Sequence, residues 1–125
     1  MQIHALLQAA DTLIPIPLSR QRMRERGYNP AAQLAAYLSP EKCQALVLQR
    51  IQHTEAQSLL TRAQRLRNLR HAFEVPTAQR HRLSGLHVLL IDDVMTTGAT
   101  LAVATRCLLQ AGAAQVSTLC VARTP

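Results

Sequence analysis

Apolar and polar positions along the chain predict strands separated by helices. Short apolar runs typical of strands occur four times. They are 12–18, 45–51, 86–91 and 116–122. Apolar residues at helical spacing occur in three further segments. These are 30–38, 54–73 and 101–111, the last stopped by Gly112. Residues 77–85 are polar and predict a loop. Strands that alternate with helices indicate a three-layer α/β fold with an open, mostly parallel sheet.

The strongest chemical signal follows the third strand candidate, which ends in Asp92 and Asp93. Ligands bind outside the carboxyl ends of strands in open α/β sheets, so these carboxylates lie where a ligand is expected. The next residues lead through threonines and Gly98 into a helix. A helix N-terminus binds anions, and Gly98 lets the backbone approach a phosphate closely. The segment therefore offers acceptors for hydroxyls or a metal and donors for a phosphate, as a sugar phosphate requires.

Other sites with paired acids fit this segment less well. A Walker B pair requires a GxxxxGK[ST] loop elsewhere, and the chain has none. Receiver domains also need a later Asp and a Lys, and neither occurs after Asp93. For an isolated acid pair, the favoured interpretation is a strand end capped by Asp before a threonine-rich helix start. The whole string from 88 to 101 favours a ligand site.

Composition narrows the class of partner. The 125 residues suit one domain, and 14 Lys and Arg against 7 Asp and Glu leave a net charge of +7. Thirteen of the 14 basic residues are Arg. This balance indicates an anionic partner such as a phosphate, a nucleotide or a nucleic acid. Aromatic residues make up only 2%, which disfavours a single-strand nucleic-acid binder that stacks bases on aromatic rings.

Cysteine usage and hydropathy bear on the compartment. Three widely spaced cysteines without a CxxC pair show neither a disulfide framework nor a zinc knuckle. Cys107 and Cys120 lie in apolar stretches and are expected to be buried thiols. No signal peptide and no apolar run near 18 residues occurs. We therefore expect a soluble, cytoplasmic protein without membrane insertion.

Several segments resemble a known family. The string VLLIDDVMTTGATL at 88–101 is similar to the phosphoribosyl-diphosphate (PRPP) motif of type I phosphoribosyltransferases. Segments 15–35 and 54–73 and the ending GAAQVSTLCVAR resemble the ComF/GntX family of competence and DNA-utilisation proteins. The resemblance extends from about Asp11 to the end of the chain and implies the type I phosphoribosyltransferase fold.

The resemblance implies roles for individual residues. The catalytic pair, Asp92 and Asp93, would accept hydrogen bonds from the ribose 2- and 3-hydroxyls of PRPP, directly or through Mg²⁺. The 5-phosphate would be wrapped by the residues that follow. These are Thr96, Thr97, Gly98, Ala99 and Thr100. The turn at 17–20 would be the pyrophosphate loop. The pyrophosphate or accessory residues that the resemblance implies, in this turn and in two family signatures, are Ser19, Arg20, Arg24, Arg26, Gly27, Asn29, Gln57, Arg62 and Arg65.

Each arginine cluster also has a structural interpretation. The arginines of 62–70 are typical of a solvated helix face, and those of 20–26 could form a solvated turn. Pro30 stands where the family usually has Gln, so any ligand contact of that amide is lost. The family's N-terminal cysteine-rich, zinc-binding segment is not seen, and we expect residues 1–125 to form a single phosphoribosyltransferase-like domain. A sheet face left bare would favour a homodimer.

Two functions are consistent with these features. The first is binding of PRPP or another ribose phosphate with Mg²⁺, with transfer of the phosphoribosyl group to an acceptor that the sequence does not identify. No residue stands out as the base for an incoming nucleophile, so enzymatic activity is left open. The alternative is a non-catalytic module in DNA uptake that senses a nucleotide or contacts proteins or DNA. The net charge and the arginines of 54–73 favour this alternative.

Overall fold

The computed structural model describes residues 2–51, 59–95 and 98–123. The helices of these parts of the chain are α1 Ile3–Ala9, α2 Arg20–Arg26, α3 Pro30–Leu38, α4 Arg62–Arg70 and α5 Ala99–Gln110. The strands are β1 Thr12–Pro15, β2 Gln49–Arg50, β3 Phe73–Glu74, β4 His87–Met95 and β5 Gln115–Arg123. A 3-10 helix spans Thr77–Arg82, where the sequence predicted a loop.

The main sheet is parallel and has the order β1-β4-β5, with β4 in the centre. Beyond β1 the sheet continues by a single parallel bridge, between Leu13 and Cys43. Leu13 exchanges backbone hydrogen bonds of 2.9 Å with Lys42 and Gln44. Pro15 has no N–H with which to continue this ladder, so the bridge does not extend into a strand.

Alternate side chains of β4 enter two separate cores, as the period of two along a strand requires. Val88 and Leu90 pack with residues of β3 and α5. Leu89 and Ile91 pack with residues of β1, α1 and α3. All four side chains are fully buried. Helices therefore cover both faces of a parallel sheet, which confirms the predicted three-layer α/β architecture.

The predicted strand at 45–51 is corrected by the structure. Only Gln49 and Arg50 are strand residues, and they pair antiparallel with Glu74 and Phe73 in a separate two-stranded sheet. The sequence pattern placed Phe73 at the end of a long helix, whereas the structure places it in β3. Sequence periodicity could not reveal this pair because two residues are too few to establish a period.

The predicted helix at 54–73 is shorter than expected. The helix begins at Arg62, where Thr61 and Gln64 form a capping box, and ends at Arg70. It contains no buried residue, and Leu66 is 48% exposed. Residues 59–61 are not α-helical, and 52–58 lie outside the described residues. The apolar spacing of this segment therefore does not mark a face that packs on the core.

Other boundaries differ where local sequence carries little signal. The helices α1 and α2 were not predicted, and neither has a buried residue. The strand β1 ends at Pro15 instead of 18, whereas β4 continues past 91 to Met95. Cys107 and Cys120 are partly exposed instead of buried. Within the described residues no helix has the length and hydropathy needed to cross a membrane.

Candidate functional site

The acid pair lies where β1 leaves the sheet. The strand β4 carries Asp92 and Asp93 past the last residue paired with β1, which is Ile91 opposite Pro15. On the other side β4 stays paired with β5, through Asp92 opposite Cys120. One side of the strand thus opens at the two carboxylates, at the carboxyl end of the sheet. This is the position at which open α/β sheets bind ligands.

Two side chains satisfy the backbone groups that the departing strand leaves behind. Ile16 makes the last bond between the two strands, from its N–H to the carbonyl oxygen of Ile91 at 2.8 Å. In a parallel ladder the next bond would join the N–H of Asp93 to the carbonyl of Ile16. Instead, Asp93 N–H donates to Asp92 Oδ1 at 2.9 Å, and Ile16 O accepts from Asn29 Nδ2 at 3.0 Å. These contacts stabilise the edge of the opening without a further strand.

The two acids have different cationic neighbours. Asp93 Oδ2 lies 3.6 Å from Arg26 Nη1 of α2, with both side chains partly exposed. Asp92 interacts electrostatically with Arg50 of β2. The acid pair therefore interacts with one cation from α2 and one from β2.

The environment of Asp92 raises the pKa of its carboxyl. Burial is the main cause that raises its pKa, to about 6, and a side-chain hydrogen bond with Asp93 and the charge of Asp93 act in the same direction. The N–H of Asp93 and the charge of Arg50 oppose the shift. The carboxyl of Asp92 is therefore protonated more readily than that of an ordinary aspartate.

Arg50 is a site residue that sequence reasoning missed. Its Nε donates to the carbonyl oxygen of Pro17 at 3.1 Å, and its guanidinium lies 4.7 Å from the centroid of the Phe73 ring. Burial lowers the pKa of Arg50. The charge of Asp92 opposes this shift, and the charge of Arg22 adds to it. A lone arginine at the end of the apolar run 45–51 was the only available signal. Arg50 thereby connects the turn after β1, the acid pair and the β2–β3 ladder.

The turn after β1 leads directly into a basic helix. Ser19 is the N-cap of α2 and accepts a 3.2 Å hydrogen bond from the N–H of Arg22. Arg20 and Arg24 lie exposed on this helix. Gly27 ends it in the left-handed conformation at φ 78°. Asn29 then caps α3 by accepting from the N–H of Ala31 at 3.0 Å. Its amide is thus used to position the turn beside the acid pair.

The predicted phosphate segment is described from Gly98 onward, since Thr96 and Thr97 lie outside the described residues. Gly98 is the N-cap of α5 at φ 83° and provides no side-chain cap. The helix begins at Ala99, which is exposed, and Thr100 is half-buried. This twelve-residue helix therefore starts within a few residues of the acid pair without a capping side chain from its own N-cap residue.

No described contact joins the accessory residues of the 54–73 segment to the acid pair. Arg65 donates from Nη1 to the carbonyl oxygen of Leu60 at 2.9 Å, just before the N-cap of its own helix. Arg62 is exposed at the first position of α4. Gln57 lies outside the described residues. These three assignments stay predictions.

A comparison with known domains now decides the family. The family model of the phosphoribosyl transferase domain matches residues 24–125. The chain belongs to the phosphoribosyl transferase domain family. The family expected from the string at 88–101 is thereby confirmed.

Relatives in sequence agree with this family, and a solved structure shares the fold. The chain is 36% identical over 121 residues to the DNA utilization protein YhgH of Escherichia coli K12, covering 94% of this chain and 52% of the relative. It is 40% identical over 112 residues to the competence protein ComFC of Bacillus subtilis, covering 89% and 44%. The chain thus spans about half the length of these relatives. A purine phosphoribosyltransferase structure from Pyrococcus horikoshii shares the fold with a TM-score of 0.51 at 19% identity, covering 98% of this chain and 72% of that one.

Proposed function

We propose that this domain binds PRPP or a related ribose phosphate at the carboxyl end of β4. The observation that carries the proposal is the placement of Asp92 and Asp93 at the opening left by β1, with Arg26 of α2 and Arg50 of β2 acting on them and the start of α5 a few residues further along the chain. A ribose phosphate needs acceptors for its hydroxyls and donors for its phosphates. Both kinds of group converge here within one stretch of chain.

The acid pair suits the ribose ring. Vicinal hydroxyls donate two hydrogen bonds, and the carboxylates of Asp92 and Asp93 together offer several acceptor positions. The 5-phosphate would accept from the backbone at Gly98–Thr100, where the helix dipole adds a favourable field. Arg50 and the turn at 17–19 would face the diphosphate, for which an arginine fork is the most specific donor.

The residues present fit Mg²⁺ as a companion of the diphosphate. Carboxylate oxygens are its preferred protein ligands, and it commonly binds through one or two of them together with phosphates and water. Within the described residues no cluster of three or more His, Cys, Asp or Glu side chains could hold an ion. Asp92 and Asp93 would therefore hold Mg²⁺ jointly with oxygens of the ligand. When bound, the ion offsets the diphosphate charge.

The same arrangement could support transfer of the phosphoribosyl group. The bond between the anomeric carbon and the diphosphate oxygen breaks, and its electron pair leaves with the diphosphate. The acceptor forms the new bond to that carbon and releases its proton to water. Asp92 and Asp93 would stabilise the positive charge that develops on the ribose, and Arg50 the departing diphosphate.

Calorimetric titration of PRPP with Mg²⁺ tests this proposal. The wild type should bind, and the double variant Asp92→Asn/Asp93→Asn should lose most of its affinity. Asp11→Asn is a matched control, because Asp11 lies at the opposite, amino end of β4, where it accepts from His87 N–H at 2.8 Å. Equal binding by wild type and double variant, or binding by neither, would contradict the proposal.

The helix α4 supports a second candidate, contact with DNA. It carries Arg62, Arg65, Arg67 and Arg70, has no acidic residue in its first turn and buries none of its side chains. Such a helix can neutralise phosphates of a nucleic acid, and affinity should then fall steeply with salt. Arg67→Gln/Arg70→Gln should reduce both the affinity and the salt slope. Weak binding without a salt slope would exclude this role for α4.

A further inference from the structure

A cavity lies apart from the acid pair. It has a volume of about 280 Å³ and opens between β3, the 3-10 helix and the C-terminal half of α5. Cys107 lines it, nine residues after Gly98, or about 13 Å along the helix at roughly 1.5 Å per residue. The cavity is therefore near the opposite end of α5 from the proposed phosphate contacts.

The cavity has a mixed lining with two opposite charges. Phe73 and Val75 border it with side chains that are only 5% exposed, Pro76 and Ala111 add partly exposed apolar atoms, and Glu74 and Arg80 contribute a carboxylate and a guanidinium. Both charges act on the same thiol, since Glu74 raises and Arg80 lowers the pKa of Cys107. Among the described residues neither of the two forms an ion pair. Two unpaired charges of opposite sign thus flank one small cavity.

The cysteine acts as part of the wall and not as a nucleophile. Burial is the largest cause that raises the pKa of the Cys107 thiol, and the charge of Glu74 adds to it. A hydrogen bond from the backbone of Val75 and the charge of Arg80 oppose the shift without reversing it. The thiolate is the reactive form of cysteine, so a raised pKa disfavours covalent chemistry here. The cavity is therefore suited to reversible binding.

We propose that this cavity binds a free α-amino acid with an apolar side chain. The carboxylate would pair with Arg80 and the ammonium with Glu74, while the side chain would lie against Pro76, Ala111 and the exposed edge of Phe73. A cavity of about 280 Å³ is slightly smaller than the usual range for drug-sized ligands, which begins at about 300 Å³. A neutral heterocycle would leave both charges unpaired, and an anion would be repelled by Glu74.

Occupancy of this cavity bears on the acid site through a shared aromatic ring. Phe73 lines the cavity, and the Arg50 guanidinium lies 4.7 Å from the centroid of the same ring. Arg50 in turn donates to the carbonyl of Pro17 and interacts with Asp92. An amino acid packed on Phe73 should therefore alter the affinity of the acid site, and linkage requires the reciprocal effect. This consequence rests on the proposed function, whereas amino-acid binding itself does not.

Thermal denaturation with L-leucine, L-methionine and L-phenylalanine tests the binding without PRPP. At least one should raise the melting temperature, and the corresponding N-acetyl amide, which lacks both charges, should not. Arg80→Gln and Glu74→Gln should each lower the affinity by about tenfold, as expected for one charge-assisted hydrogen bond. Arg106→Gln, also on α5 but outside the cavity, is the matched control and should bind as the wild type does.

Alkylation of the cysteines by iodoacetamide at alkaline pH, where thiolates form despite the raised pKa of Cys107, locates the ligand. Peptide-resolved mass spectrometry should show slower labelling of Cys107 with the amino acid present and unchanged labelling of Cys43. The proposal is overturned if none of the three amino acids shifts the melting temperature, if both charge variants bind normally, or if Cys107 is not protected. None of these results depends on PRPP binding, so failure of the proposed function and failure of this inference are distinguishable.

Discussion

Asn29 donates a 3.0 Å hydrogen bond from Nδ2 to the carbonyl oxygen of Ile16, at the point where β1 leaves the sheet. The same side chain caps α3 through Oδ1. One residue therefore replaces a strand partner and starts a helix. The opening beside Asp92 and Asp93 persists because this carbonyl is satisfied without a further strand.

Replacement of Asn29 should separate these two contacts. Asn29→Ala loses both and leaves the Ile16 carbonyl unpaired, so the free energy of unfolding should fall by about 1–3 kcal/mol. Asn29→Asp keeps the cap but loses the donor, so its free energy of unfolding should lie between those of wild type and Asn29→Ala. Urea unfolding followed by circular dichroism measures both. Ser19→Ala, which removes the solvent-exposed N-cap bond of α2, should lower the free energy of unfolding by about 0.5–1 kcal/mol. A smaller loss in Asn29→Ala than in Ser19→Ala would contradict this role.

The raised pKa of Asp92 should make stability depend on pH. Its folded-state pKa of about 6 exceeds the ordinary 3.8, so the folded state binds more protons between these values. The resulting stabilisation is present below about pH 4 and is lost as pH rises through about 6. Asp92→Asn should therefore be more stable than wild type at pH 7 and show no such advantage below pH 4. Urea unfolding across this range measures the difference, and parallel curves for the two proteins would refute it.

Loss of Arg50 should raise the pKa of Asp92 further, because Arg50 is a group that lowers it. In Arg50→Met, carbon-detected NMR titration of the carboxyl should place the Asp92 midpoint above about 6. Affinity for PRPP should fall by about tenfold or more, since the arginine fork is lost. Arg50→Lys should not restore it, because an ammonium lacks the planar fork. Arg106→Met is the control on an exposed part of α5. An unchanged Asp92 midpoint would show that Arg50 does not act on the carboxyl of Asp92.

Gly98 should matter to ligand binding as well as to stability. Its φ of 83° disfavours any residue with a Cβ. Gly98→Ala should lower the free energy of unfolding by about 1 kcal/mol and weaken PRPP binding as well. Gly85→Ala is a matched control, since Gly85 has φ 74° and an added Cβ would meet no atom within 4 Å. It should show the same loss of stability and normal binding. Equal PRPP affinity in both variants would exclude Gly98 from phosphate contact.

Much of the architecture could be predicted from particular sequence features. The apolar run at 86–91 predicted the buried central strand, because a strand covered on both faces has no polar alternation. The predicted boundaries of α3, residues 30 and 38, are those of the structure, since Pro30 suits a first turn. The helices α1 and α2 were missed because neither buries a residue.

The sequence by itself determined the α/β class, the central strand and the family, because buried runs, helical periods and the string at 88–101 are local properties of the chain. Only the tertiary structure decided what surrounds the acid pair. Arg50 and Asn29 stand 42 and 63 residues before Asp92 in the chain. Nevertheless, Arg50 lowers the pKa of Asp92, and Asn29 donates to the carbonyl oxygen of Ile16 where β1 leaves the sheet. Such pairings depend on strand order and on the early end of β1. No local period encodes them.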